Sequence, residues 1–203
     1  MFSSDPFRDR DTPADASRHA RDLERFERLR TGDEQAFEAL FRGYAAALCD
    51  FAHSYVDSEP AAQEIVQDLF ARLWERRDTL DRPRSVQAYL YGAIRNGALN
   101  YLRGRRVETA FLRRVLQAGQ LRANGPRPIP PEDELHAQAL AGAVARAVAQ
   151  LPPRCRDVFI LTRDQHLSYS EAAAVLGIAP KTVEIHVGRA LALLRRQLAD
   201  WLP

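Results

Sequence analysis

This sequence predicts an all-α fold: two small helical bundles joined by a flexible, basic, proline-rich linker, the second bundle ending in a helix-turn-helix. Three observations point there. Apolar residues recur at spacings of three and four along most of the chain, as in Phe37, Leu40, Phe41, Tyr44, Leu48 and Phe51, which is the period of a helix with one buried face. The stretch 123–134, ANGPRPIPPEDE, breaks that period and is dense in proline and glycine, so it reads as a connector. The stretch 167–198, LSYSEAAAVLGIAPKTVEIHVGRALALLRRQL, places a helix start, a glycine stop and a second helix start in tight succession.

Residues 1 to about 21 are polar, carry Pro6 and Pro13, and lack periodicity, which predicts a disordered tail. A short amphipathic helix is expected from Leu23 to Arg30. Thr31-Gly32-Asp33 interrupts it, and Asp33 can cap the next helix. Asp57-Ser58-Glu59-Pro60 ends that helix and opens a third, with Ile65, Val66, Leu69, Phe70, Leu73 and Trp74 on the buried side. Residues 78–86, DTLDRPRSV, form a loop. A fourth helix runs from about Gln87 to Arg103 with Leu90, Ala93, Ile94, Ala98 and Leu102 inward. Gly97 inside it costs about 1 kcal/mol relative to alanine and implies close helix packing. Its remaining residues, Tyr89, Tyr91, Arg95, Asn96, Asn100 and Arg103, mix rings, amides and guanidinium groups. Such a set suits unstacked bases and equally a plain amphipathic helix; the pattern alone leaves both open.

Beyond Arg106 the character changes. Val107 to Gln120 has room for a short basic helix before the linker. From Arg103 to Arg127 seven arginines stand against Glu108 alone, so this connector can follow a polyanion. The second bundle starts near Leu135. Leu140, Val144, Ala147, Val148 and Leu151 mark one helix, and Pro152-Pro153 opens the next, from Arg154 to about Arg163. Ser168 and Glu171 then form a capping box, and Gly177 stops that helix because glycine reaches the left-handed conformation cheaply. Pro180 suits the first turn of the last helix, although Ala179 before it offers no capping side chain. Val183, Val187, Ala190, Leu191, Leu194 and Leu198 face inward, leaving Lys181, Thr182, Glu184, Ile185, His186 and Arg189 outside. A helix with such residues in its first turns fits a DNA major groove, with base edges read by side chains and phosphates held by Lys and Arg. The plain alternative is an antiparallel helix pair.

Composition bounds the function. A chain of 203 residues fits one or two domains, and 46% hydrophobic residues suffice for their cores. The net charge of +2 does not by itself mark a nucleic-acid binder, so charge distribution matters more. Cys49 and Cys155 show no metal or disulfide spacing and are expected to be reduced thiols. No cofactor is called for. No apolar run nears the roughly 20 residues of a membrane span and no signal peptide is visible, so a cytoplasmic location without membrane insertion is expected. An enzyme acting on nucleic acid would need clustered carboxylates, a Cys/His pair or a phosphate-binding glycine loop. None is visible, and the histidines are scattered.

Taken in order, GDEQAFEALFRGYAAAL, AAQEIVQDLFARLWERR, SVQAYLYGAIRNGALNYLRGRR and LPPRCRDVFILTRDQHLSYSEAAAVLGIAPKTVEIHVGRALALLRRQL resemble the extracytoplasmic-function (ECF) sigma factors of bacterial RNA polymerase, in the sigma-70 family. The resemblance implies a tail at 1–21, a region 2-like domain at 22–106, a linker at 107–134 and a region 4-like domain at 135–203. It implies core RNA polymerase, promoter DNA and an anti-sigma factor as partners. On matching positions it implies that Glu64, Gln67, Asp68 and Trp74 dock on the clamp helices of the polymerase largest subunit. It implies that Arg84, Tyr89, Arg95, Asn96, Asn100 and Arg103 open and read the −10 element. Lys181, Thr182, Glu184, Ile185, His186 and Arg189 would read the −35 element, with phosphate contacts near Ser168 and Tyr169. Asn100 stands where the family often has aspartate, and Ala179 where a serine cap is usual, which bears on base preference. The C-terminal half alone also resembles the DNA-binding domain of response regulators, so a polymerase-independent helix-turn-helix regulator is the competing expectation.

Overall fold

The computed structural model describes residues 13–115 and 135–201, and the regular structure among them is helical. Four helices build the first bundle: α1 (Pro13–Arg30), α2 (Glu34–Val56), α3 (Glu59–Glu75) and α4 (Val86–Val115). Gly32 makes the turn into α2 with a φ of +88°, a conformation that favours glycine. Asp33 caps α2 as expected, accepting from the backbone N–H groups of Gln35 at 2.9 Å and Ala36 at 3.1 Å. These bonds and the guanidinium of Arg28, 2.8 Å away, hold its carboxyl below the usual range. Ser58 precedes α3 in an extended conformation but makes no side-chain cap; Pro60 in the first turn supplies the start.

Two boundaries differ from the sequence reading. Residues 13–21, expected to belong to a disordered tail, begin α1. Their helix is tied down one turn later by Asp22, which is buried and accepts a 2.5 Å hydrogen bond from the Tyr44 hydroxyl, with Arg25 at 3.2 Å. A buried carboxylate needs such partners, and Tyr44 lies on another helix, where a sequence pattern cannot show it. At the other end, α4 continues through 107–115 instead of stopping near Arg103. The rest of the expected linker, 116–134, lies outside the described residues.

The core of this bundle is large-residue packing: Phe26, Leu29, Leu40, Leu48, Phe51, Phe70, Leu73, Leu90, Tyr91 and Ile94 are all but inaccessible. Phe51 meets Tyr91 edge-on at 5.1 Å, an arrangement that the ring quadrupoles favour. Gly97 does mark close packing. A Cβ there would stand 3.0 Å from Ile65 Cγ2 of α3.

The second unit comprises α5 (Leu135–Ala149), α6 (Pro153–Phe159), a π-helical turn (Ile160–Asp164), α7 (Tyr169–Leu176), α8 (Pro180–Gln197) and a short 3₁₀ turn (Ala199–Trp201). The π turn breaks the helix expected to run on to Arg163: the Gln165 N–H reaches back five residues to the Ile160 carbonyl at 3.0 Å. The capping box of Ser168 and Glu171 is present in full, and Gly177 ends α7 with a φ of +64°. Ala179 makes no side-chain cap, so α8 starts on Pro180 and packing. One apolar cluster runs from Phe26 and Leu48 through Leu90 and Tyr91 to Leu161, Ala172 and Val183. The two bundles therefore share a core, which the sequence did not disclose.

Candidate nucleic-acid and polymerase interface

The expected docking residues sit on α3. Glu64, Gln67 and Asp68 are exposed, and Asp68 pairs with Arg72 one turn on at 3.2 Å. Such an exposed pair contributes little and opens readily for another partner. Trp74 is half-buried instead. It lies 5.1 Å from Phe37 between ring centres, and the Arg77 guanidinium stacks 4.5 Å over it. Phe41 is exposed beside it, edge-on to Phe70 at 5.0 Å. The α2–α3 seam thus presents an apolar aromatic edge next to an acidic, amide-bearing helix face. The sequence reading assigned Phe37 and Phe41 simply to the core; Phe41 fits that only in part.

The expected −10 set lies on α4 and the loop before it. Arg84, Asn96, Asn100 and Arg103 are exposed, and Tyr89 is half-buried with its ring edge-on to Phe26 at 5.9 Å. Spacings of seven, four and three put Tyr89, Asn96, Asn100 and Arg103 along one helix side. Arg95 departs from them. It is half-buried, and the Asp157 carboxylate of α6 and the Tyr55 ring of α2 lie beside it. Tyr91, grouped by sequence with the base-facing rings, is 1% exposed and belongs to the core, because its position on α4 turns it toward Phe51. Arg84, Tyr89 and Asn96 line a cleft of about 1000 Å³ whose other wall is α7, through Ser168, Ser170, Glu171, Ala174 and Val175.

The expected −35 set lies on α7 and α8. Lys181, Ile185 and Arg189, four apart, are exposed along α8, while Thr182, Glu184 and His186 are half-buried. Lys181 pairs with Glu184 at 2.9 Å. Ile185 is 46% exposed, so its methyls are free for an apolar contact such as a thymine methyl. His186 turns partly inward, its Nδ1 3.6 Å from the Cys155 thiol, whose proton burial makes harder to lose. Ser168 spends its hydroxyl on the cap, accepting from the Glu171 N–H at 3.2 Å and donating to Glu171 Oε2 at 2.9 Å. Tyr169, expected near phosphate, is 5% exposed and packed in the core.

The helix-turn-helix and the long helix α4 carry known relatives' signatures. The family model described as Sigma-70 region 2 matches residues 40–108, and that described as Sigma-70, region 4 matches residues 141–194. The chain is 34% identical over 167 residues to the RNA polymerase sigma factor CnrH of Cupriavidus metallidurans, covering 81% of this chain and 87% of that one. It belongs to the ECF sigma factors of the sigma-70 family. The ECF RNA polymerase sigma factor SigW of Bacillus subtilis is 25% identical over 182 residues, covering 87% of this chain and 96% of the relative. Among solved structures, CnrH in complex with the cytosolic domain of CnrY matches with a TM-score of 0.64 at 26% identity, over 89% of this chain and 98% of that one. The sigma factor RpoE in complex with the anti-sigma factor NepR, from Bartonella quintana, shares the fold with a TM-score of 0.60, at 24% identity over 80% of this chain and 96% of that one. Among the described residues no helix of this sigma factor is long and apolar enough to cross a membrane.

Proposed function

We propose that this sigma factor is a non-catalytic specificity subunit that docks on core RNA polymerase through α3, opens and reads a −10 element with α4, and reads a −35 element with α8. One observation carries the reading: region 2 and region 4 matches stand in order on one chain, each over a helix whose outward face bears side chains suited to that task. Glu64, Gln67 and Asp68 offer carboxylates and an amide on an exposed helix face, and Trp74 with Phe41 offers the apolar edge beside them. Asn96, Asn100 and Arg103, with Tyr89, present amides for base edges, a cation for phosphate and a ring for stacking. Lys181 and Arg189 flank Ile185 on α8 as phosphate and base contacts do on a groove-reading helix. The proposed functional units are a region 2-like domain at 22–106, with α1 beginning at Pro13 and α4 running on to Val115, and a region 4-like domain at 135–203. An anti-sigma factor is a further proposed partner, since RpoE was solved with the anti-sigma factor NepR bound and CnrH with the cytosolic domain of CnrY.

The test is co-purification with core polymerase followed by transcription from a promoter library. Initiation at a shared pair of spaced elements is expected, and the variant carrying Gln67→Ala and Asp68→Ala should keep its helix content while losing polymerase binding. Tight binding of the free chain to a two-fold symmetric duplex, with no polymerase complex, would instead establish a free-standing regulator.

A further inference from the structure

One side chain of the −35 set is held from the core side by a thiol to which no role has been given. Cys155 stands in the first turn of α6, 4% exposed, in a small apolar cluster with Ala147, Leu151, Ala190 and Leu194. Ala190 and Leu194 belong to the buried side of α8, so the thiol reaches that helix from within. There it meets His186, its Sγ 3.6 Å from Nδ1 of the imidazole, a hydrogen-bonding distance for sulfur. Arg189, one turn farther along α8, lies near enough for its charge to act on the same thiol. Cys155 therefore sits behind the part of α8 proposed to face the promoter.

Chemistry decides the direction of this bond. A thiol sulfur is a weak acceptor, whereas the bare nitrogen of an imidazole accepts through a full lone pair in the ring plane. Burial raises the thiol above its ordinary value, against the opposing charge of Arg189, so Cys155 keeps its proton and has it to donate. An imidazole that accepts at Nδ1 carries its own proton at Nε2. The two nitrogens lie on opposite edges of the ring, so the Nε2–H is directed away from the thiol, and His186 is only half-buried. Resting on the −35 assignment made above, we propose that Cys155 is a positioning residue for promoter recognition: its thiol holds the His186 ring with Nε2–H outward, so that α8 offers a hydrogen-bond donor to an acceptor on the duplex. Guanine O6 and N7, adenine N7, thymine O4 and phosphate oxygens are such acceptors. The cytosine amino group is not, because it is itself a donor.

The experiment has two arms, both on the full chain. In the first, the ring nitrogens of His186 are read by long-range proton–nitrogen NMR at about pH 8, assigned by their loss in His186→Ala. A protonated Nε2 with a bare Nδ1 is expected, and any other pattern overturns the proposal. In the second, holoenzymes with core polymerase select from promoters randomised through the −35 element. Cys155→Ala should weaken −35 recognition about three- to tenfold, the worth of one hydrogen bond. Cys155→Ser, whose hydroxyl again donates, should recover most of that loss. In a His186→Ala background the Cys155→Ala change should add nothing, because both act through one bond. A loss confined to one −35 position marks a base acceptor, and a loss spread evenly over sequences marks a phosphate. Losses that add are those of a packing residue and overturn the positioning role, as does a Cys155→Ala holoenzyme that selects and binds like wild type. Should Cys155→Ala fail to fold by circular dichroism, Cys155→Val, which fills the site without a donor, takes its place with the same expectations. A wild-type holoenzyme that selects no −35 element overturns the −35 assignment itself, and the positioning role with it.

Discussion

The two bundles solve the same packing problem with different materials. The first fills its core with large side chains, among them Phe26, Phe51, Phe70 and Tyr91. The second relies more on small side chains and includes two short helices, α6 with 7 residues and α7 with 8; Ala172, Ala173, Val183, Val187 and Ala190 make much of its interior. Buried apolar area, not helix count, supplies the stabilisation. The first bundle can therefore stand on its own contacts. The second leans on α4 for part of its core and on caps for its geometry. That division suits the proposed roles, since a docking platform gains from rigidity and a DNA reader must be able to move relative to it.

The contrast can be broken at its strongest point first. Phe70→Ala removes a ring held edge-on by Phe37 at 6.0 Å and Phe41 at 5.0 Å, and should cost about 3–5 kcal/mol by denaturant unfolding. The matching truncation in the second bundle, Val187→Ala, should cost roughly 2 kcal/mol, at ~0.8 kcal/mol per buried carbon plus a small cavity. Equal losses would remove the distinction. Gly97→Leu should cost about 1–3 kcal/mol because the added atoms collide with Ile65; a stability gain would show that α3 and α4 are free to separate. Ser168→Ala should cost about 1 kcal/mol and loosen α7, read as faster hydrogen exchange there with the first bundle unaffected.

Smaller effects sharpen the comparison through charge. Arg189→Ala should lower the slope of promoter affinity against salt by about one if it holds a phosphate, and an unchanged slope removes that role. Two aspartates titrate in opposite senses. Burial raises the Asp157 carboxyl above its ordinary 3.8, opposed by Tyr55, Arg95, Arg156 and Arg154. Its folded form holds the proton longer, so its contribution is present at low pH and lost as pH rises through the raised value. Asp33 is lowered, chiefly by the Ala36 N–H and Arg28, so its contribution is present above 3.8 and lost on acidification. Stability curves of Asp157→Asn and Asp33→Asn between about pH 2 and 7 should depart from wild type in opposite directions.

Much of the candidate site was legible before any coordinates. Glu64, Gln67 and Asp68 fall outside the apolar stripe of α3, and Lys181, Ile185 and Arg189 outside that of α8, so periodicity alone exposed them. Tyr91 was less legible. An aromatic residue on the border of a stripe is turned in or out by its neighbours, and Phe51 turned this one inward. The contacts of Asp157, Gln165 and Glu171 with the first bundle were not legible at all. Polar residues in short helices read as solvated until another element covers them, and their partners lie 74 or more residues away for the hydrogen bonds of Gln165 and Glu171.

The sequence by itself determined the helices, their caps at Asp33 and Ser168, the stop at Gly177 and the family, because these depend on residues within one or two turns of each other. Tertiary structure alone decided that α1 begins at Pro13, that Tyr91 is core and that α7 lies over α4. Each of these rests on a partner brought close by folding, as Tyr44 is to Asp22, Phe51 to Tyr91 and Ser85 to Glu171, and no spacing along the chain encodes such a meeting.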